Sequence, residues 1–209
     1  MTIRGDQVVN WIKTFTGVIA ENKDTLTQLD SAIGDADHGA NMDRGFQAVL
    51  QKLPAAAGQD IGAILKMVGM TLISTVGGAS GPLYGTLFLQ MGTLTAGKLE
   101  LSLADWTAAL ASGVEGVMRR GKASPGDKTM LDSLLPGLEA LKSAAANDAV
   151  LPDALRQCAE TARQGMLNTI PLVARKGRAS YLGERSAGHQ DPGATSAYWL
   201  LKAAADSLA

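Results

Sequence analysis

Ile61-Gly-Ala-Ile-Leu-Lys-Met-Val-Gly-Met-Thr-Leu-Ile-Ser-Thr-Val76 decides the class of the fold. Its residues Ile61, Ile64, Leu65, Val68, Leu72, Ile73 and Val76 recur at three- and four-residue intervals. That spacing lines one face of an α-helix. Working outward, the same period appears almost everywhere. Val8, Val9, Trp11, Ile12, Phe15, Val18 and Ile19 form a stripe before it, and Phe46, Val49, Leu50 and Leu53 form another that Pro54 stops. After it come Leu83 to Leu94, Trp106 to Met118 and Leu131 to Leu141, then about Pro152 to Val173 and Ala194 to Leu208. A short helix is expected around Lys23 to Leu29. No stretch alternates with a period of two, so no strands are expected. The predicted class is all-α, with short connections joining antiparallel neighbours.

Helix starts are legible in places. Ser102 precedes Leu103 and Asp105, Asp127 precedes Lys128, and Pro152 suits a first turn. A chain of 209 residues predicts one domain, residues 1–209, with a substantial core. Formal net charge is −1 and aromatics are only 4% of residues, which argues against nucleic-acid or anionic-membrane binding. The most apolar region, Ile61 to Leu94, is interrupted by glycines, a proline and polar residues, unlike a bilayer span. The start, Met-Thr-Ile-Arg-Gly-Asp, has no apolar signal core. The lone Cys158 excludes an internal disulfide, sits on a helix face and reads as a buried structural thiol. A cytoplasmic protein is expected.

Chemistry concentrates in the connections. In Asp30 and Ile33-Gly-Asp-Ala-Asp-His-Gly-Ala-Asn-Met-Asp-Arg-Gly-Phe46, three carboxylates, Asp30, Asp35 and Asp37, fall within eight residues. Asp35 and Asp37 would diverge on a helix; they converge only where the backbone leaves it, as Gly34 and Gly39 permit. Gathered carboxylates need a cation, and all-oxygen ligands with open positions suit Mg²⁺ shared with phosphate. His38, Gly39 and Asn41 then lead into the helix of Phe46 to Leu53, whose N-terminus favours phosphate. Separate helix caps and turns remain the plainer account of the same aspartates.

Three further stretches stand between helices. Gly77-Gly-Ala-Ser-Gly-Pro82 brings backbone and the Ser80 hydroxyl close to a ligand, or is only a tight connection; no Walker lysine follows. Arg120-Gly-Lys-Ala-Ser-Pro-Gly-Asp-Lys-Thr-Met-Leu131 could cover a flat ring with Met130, or be an exposed turn with two solvated lysines. Arg175 to Gly193 is long and not of low complexity, and a loop of this kind is usually functional. It holds Arg178, a candidate for bidentate phosphate contact. There is no local zinc-type histidine pair and no Gly-x-Ser-x-Gly nucleophile. In an up-and-down array every second connection falls at one end, which lets these stretches meet.

Taken together, Gly34 to Met42, Gly77 to Pro82, Arg120 to Lys122 with Pro125 to Thr129, and Ala174 to Ser186 with Gly188 to Ser196 resemble the nucleotide-binding subunit of dihydroxyacetone kinase. The likeness is to the free-standing form found in the bacterial phosphoenolpyruvate-dependent enzyme, and it covers essentially the whole chain in order. It implies a barrel of eight up-and-down antiparallel helices with the nucleotide at one end. It implies two Mg²⁺ ions on Asp30, Asp35 and Asp37, bridging the phosphates of ADP or ATP. His38, Gly39, Ala40 and Asn41, with Ala79 and Ser80, would line the phosphates. Gly121 and Met130 would lie along adenine and ribose, Arg178 would reach phosphate, and Asp191, Pro192 and Gly193 would close over the nucleotide. The partners implied are a dihydroxyacetone-binding kinase subunit, a phosphohistidine donor of phosphotransferase type and, in some relatives, a transcription regulator. The substrate would sit on its own subunit's histidine, so His38 is not the substrate nucleophile. Competing readings are a magnesium-dependent phosphohydrolase, a nucleotide-loaded regulatory module, and the nucleotide-binding part of an ATP-dependent dihydroxyacetone kinase.

Overall fold

A computed structural model describes residues 2–56 and 58–208. They form an all-α structure of nine α-helices: α1 (Gly5–Glu21), α2 (Lys23–Ile33), α3 (His38–Lys52), α4 (Ile61–Thr75), α5 (Ser80–Leu94), α6 (Leu103–Gly121), α7 (Leu131–Ala146), α8 (Leu151–Asn168) and α9 (Pro192–Ser207). Each apolar stripe faces inward. Trp11, Phe15, Phe46, Leu72, Phe88, Trp106, Leu134 and Leu201 belong to one continuous buried cluster to which every α-helix contributes, α2 through Leu26. Its centre is aromatic: Trp11 meets Trp106 edge-on at 5.1 Å between ring centroids, and Phe15 meets Phe46 edge-on at 4.7 Å, the geometry that the ring quadrupoles favour. Along the chain, α3 packs on α4, α4 on α5, α5 on α6, α6 on α7, α7 on α8 and α8 on α9; α1 packs between α9 and α3. No helix among the described residues is long and apolar enough to cross a membrane.

Two expectations about elements are corrected. A small antiparallel pair exists: β1 (Ile3–Arg4) beside β2 (Glu100–Leu101), with Ile3 opposite Leu101. Two residues are too few to carry an alternation, so sequence could not announce it. Asp127 does not cap the sixth stripe either, because α7 begins at Leu131. Asp127 closes its own turn by accepting from the Ser124 N–H at 2.8 Å, while Asp132 accepts from the N–H groups of Gly126 and Thr129. Ser102 behaves as expected, its hydroxyl accepting from the Asp105 N–H at 3.1 Å in a reciprocal capping box. The helix read over Phe46 to Leu53 starts eight residues earlier, at His38, and the long loop after α8 contains a 3₁₀ segment, Arg178–Ser186, kinked at Gly183.

Candidate functional site

The site begins where α2 ends. Asp30 is buried in the last turn of α2, and its Oδ2 accepts from the main-chain N–H groups of Asp37 (2.8 Å) and His38 (3.1 Å). That carboxylate therefore folds the Gly34–Asp37 turn back over itself. The fold-back requires glycine at 34, where a Cβ would lie 2.0 Å from Asp30 Oδ1. Ala36 takes a left-handed conformation, φ 60°, between the other two carboxylates. Oxygens of Asp30, Asp35 and Asp37 consequently lie within 4.8 Å of one another. An all-oxygen, net-negative set of this spacing has the chemistry of a Mg²⁺ site. The Arg178 guanidinium reaches in from the 3₁₀ segment, with Nε 2.7 Å from Asp35 Oδ2.

Across from the carboxylates, four helices present their N-termini to one cleft of about 180 Å³. Its wall includes His38 at the start of α3, Ala79 and Ser80 at the start of α5, Met130 before α7, and Asp191, Pro192 and Gly193 at the start of α9. Each N-terminus offers unpaired N–H groups and about half a positive charge. Some of these donors are already taken: Asp30 accepts from the His38 N–H of α3, Thr129 Oγ1 from the Leu131 N–H of α7 at 3.2 Å, and Asp191 Oδ2 from the Ala194 N–H of α9 at 2.6 Å. Burial, with Asp132 and Asp30 nearby, pushes the Asp191 carboxyl up to about 7 despite that bond and Lys128. Next to the cleft a more apolar hollow of about 300 Å³ is bordered by Leu83, Val117, Gly121, Met130 and Leu131. It shares Ala79, Met130 and Gly177 with the cleft, so a polar end and an apolar end are continuous.

His38 is nearly enclosed. Its Nδ1 lies 2.9 Å from Ser80 Oγ and its Nε2 2.9 Å from Ser196 Oγ, and Tyr84 Oη is 2.7 Å from the same Ser196 hydroxyl. The ring thus ties α3, α5 and α9 together at their N-terminal ends. Burial lowers its pKa, against the pull of Asp30 and Asp37, so the imidazole is neutral at physiological pH. Gly39, Ala40 and Asn41 share the first turn of α3 with it but do not border the cleft. Gly39 is packed against α2, where a Cβ would meet the Lys23 carbonyl at 2.1 Å. Asn41 Nδ2 is buried without a hydrogen-bond partner, beside the Gly77–Gly78 turn. An unpartnered buried donor at the base of this turn fits a site that receives an anion.

Sequence reading missed two parts of the site. Ser196 and Tyr84, which orient His38, lie one turn inside α9 and α5, facing the same way as the terminal residues. Lys128, read as a solvated lysine, is 1% exposed; of the two lysines in that turn only Lys122 faces solvent. No local signal marks it, because its partners are more than forty residues away.

Residues 32–206 match the family model described as the DAK2 domain. The chain belongs to that family. Over 202 residues, 97% of this chain and 96% of the relative, it is 48% identical to the Escherichia coli protein named PEP-dependent dihydroxyacetone kinase, ADP-binding subunit DhaL. It is 41% identical, over 94% of each chain, to the Lactococcus lactis PTS-dependent dihydroxyacetone kinase, ADP-binding subunit DhaL. Among solved structures, the dihydroxyacetone kinase of C. freundii in complex with AMP-PNP and Mg²⁺ superposes with a TM-score of 0.75 at 25% identity. That match covers 99% of this DAK2 chain and 35% of the C. freundii chain, so the likeness is to about a third of the larger enzyme.

Proposed function

We propose that this chain is the ADP-binding phosphotransferase subunit of a phosphoenolpyruvate-dependent dihydroxyacetone kinase, acting in the cytoplasm as one domain. Bound ADP accepts a phosphoryl group from a phosphohistidine on a donor protein and passes it to dihydroxyacetone held on a separate subunit. The observation that carries the reading is the meeting of three carboxylates and four helix N-termini around one cleft. Carboxylates alone would attract a cation and N-termini alone an anion; a metal–polyphosphate needs both. The names of the E. coli and L. lactis relatives, and the nucleotide and Mg²⁺ in the C. freundii complex, support it. The helix neighbours close on themselves, α1 completing the circuit between α9 and α3 with α2 alongside, which supports an eight-helix barrel.

In this reading Asp30, Asp35 and Asp37 hold two Mg²⁺ ions. Bound there, the metal neutralises phosphate charge and helps align the reacting oxygens. The chain's own work is positioning. His38, Ala79 and Ser80 border the phosphate end; Gly39, Ala40 and Asn41 would act from behind it, through the first turn of α3 that carries His38, and neutral His38 keeps Ser80 in place without adding charge. Arg178 swings between Asp35 and phosphate oxygen. Gly121 and Met130 border the apolar hollow that takes adenine and ribose, and Asp191, Pro192 and Gly193 close it from α9. Titration of MgADP into the chain by calorimetry tests the proposal: stoichiometric binding that disappears with EDTA is expected, and an absence of binding in Mg²⁺ would overturn it.

A further inference from the structure

One buried charge is not used by this mechanism. Lys128 lies in the α6–α7 turn at a left-handed φ of 64°, at the wall of the cleft and almost wholly removed from solvent. Its ammonium donates to the carbonyl oxygens of His189 (2.6 Å), Ser186 (2.7 Å) and Leu172 (3.0 Å), with that of Ile170 at 3.5 Å. An ammonium has three N–H donors, and three short bonds use all of them. A buried cation is tolerated only when so satisfied. All four carbonyls belong to the segment between α8 and α9, two on each side of most of the 3₁₀ run that carries Arg178. The same segment is pinned to the same turn by the Arg175 N–H on the Asp127 carbonyl at 3.0 Å. It is pinned to itself by the Ala174 N–H on Ser186 Oγ at 2.8 Å and the Gly188 N–H on the Ile170 carbonyl at 2.8 Å.

We propose that Lys128 is a positioning residue for the nucleotide site: its ammonium is an internal cation around which residues 170–189 are wound, holding Arg178 and the N-terminus of α9 at the cleft before any ligand arrives. Lys128 does this through main-chain carbonyls and not by touching phosphate, since its donors are already engaged. The functional side of the inference rests on the nucleotide reading above. Its structural side does not, and that separates the two in experiment.

Lys128→Met and Lys128→Arg are compared with the parent by hydrogen exchange, thermal melting and MgADP calorimetry. In Lys128→Met without nucleotide, exchange should rise within 170–190 while α4 and α5 keep their protection. MgADP affinity should fall by about tenfold or more, the loss expected when a preorganised charge-assisted network is removed. Lys128→Arg, which keeps charge and donors, should recover most of the protection and affinity. Unchanged exchange in 170–190, exchange raised equally throughout the chain, or affinity within about twofold of the parent would each overturn the inference. A parent that fails to bind MgADP strikes the nucleotide reading instead and leaves the exchange comparison valid. Should Lys128→Met not fold, the parent's lysine ¹⁵Nζ spectrum decides: one ammonium protected from solvent exchange is expected, and none protected overturns it.

Discussion

Asp30 does two jobs with one carboxylate. Oδ2 organises the turn by taking two main-chain N–H groups, Oδ1 lies against Gly34, and the carboxylate still stands within reach of those of Asp35 and Asp37. Asp35 and Asp37 have no such structural duty, which makes them the cleaner probes. The double substitution of Asp35 and Asp37 by Asn should abolish Mg²⁺-dependent ADP binding and leave far-UV circular dichroism unchanged; MgADP binding at parental strength would refute the metal assignment. Arg178 is 68% exposed and bonds only across to Asp35. Arg178→Ala should therefore keep the melting temperature of the nucleotide-free chain and lose roughly 1.5–3 kcal/mol of nucleotide binding, about tenfold or more. A large fall in melting temperature with normal affinity would make the residue structural. Asp191 gives a pH signature. Its folded-state pKa is raised from 3.8 to about 7, so the folded chain retains a proton that the unfolded chain has released between those values. Its contribution is therefore present below 3.8 and is lost as pH rises towards about 7. Urea midpoints of the parent should fall, relative to Asp191→Asn, between about pH 4 and about pH 7 and level off above that. A gap that does not change with pH would contradict this. The aspartates and Arg178 were legible because their residue types and crowding are unusual; the burial of Lys128 and the partners of His38 were not, because distant segments supply them.

At the level of elements the apolar period identified the helices well: most marked residues turn inward, while Ile73 of the α4 stripe and Leu94 at the end of the α5 stripe face solvent. Their ends were less legible. The first turns of α3, α5 and α9 lack apolar residues at the expected spacing because they serve the cleft or pack closely on neighbouring backbone, as Gly39 does on α2, so the stripes begin late. Binding residues thus look like loop in the sequence and are helix termini in the structure. The α4–α5 pair shows a second device. Gly69 faces Gly85 and Gly62 faces Gly92, letting the two backbones touch: a Cβ on Gly69 would lie 2.7 Å from the Gly85 carbonyl, and one on Gly92 2.8 Å from the Gly62 carbonyl. These glycines interrupt a strongly apolar stretch; within each helix the two are seven residues apart, which sets them on one face, but one helix's spacing does not say which neighbour packs there. Gly69→Val should force the helices apart and cost about 1–3 kcal/mol in thermal or urea unfolding. Because α5 carries Ser80 to the cleft, nucleotide affinity should drop with it. Stability equal to the parent would mean that the seam is looser than these distances imply.

Across the whole molecule, up-and-down connectivity turns four weak local signals into one place. The connections before α3, α5, α7 and α9 all lie at the same end, as the alternation of helices requires, and the cleft sits among them. Membership in the DAK2 family agrees with that arrangement but does not by itself say which residues act. The cleft and its apolar extension account for a nucleotide, and His38, one of two histidines in the chain, has both ring nitrogens engaged. Neither feature offers a separate seat for a small ketone. In the proposed reaction this chain relays a phosphoryl group between two other proteins. That relay is tested most directly by measuring dihydroxyacetone phosphate formation from the purified chain, MgATP, the dihydroxyacetone-binding subunit and the phosphohistidine donor, with each component omitted in turn. No product is expected without the substrate subunit, at most one turnover per chain without the donor, and sustained turnover with both. Repeated turnover by this chain with excess ATP and dihydroxyacetone alone would contradict it and mark a self-contained kinase.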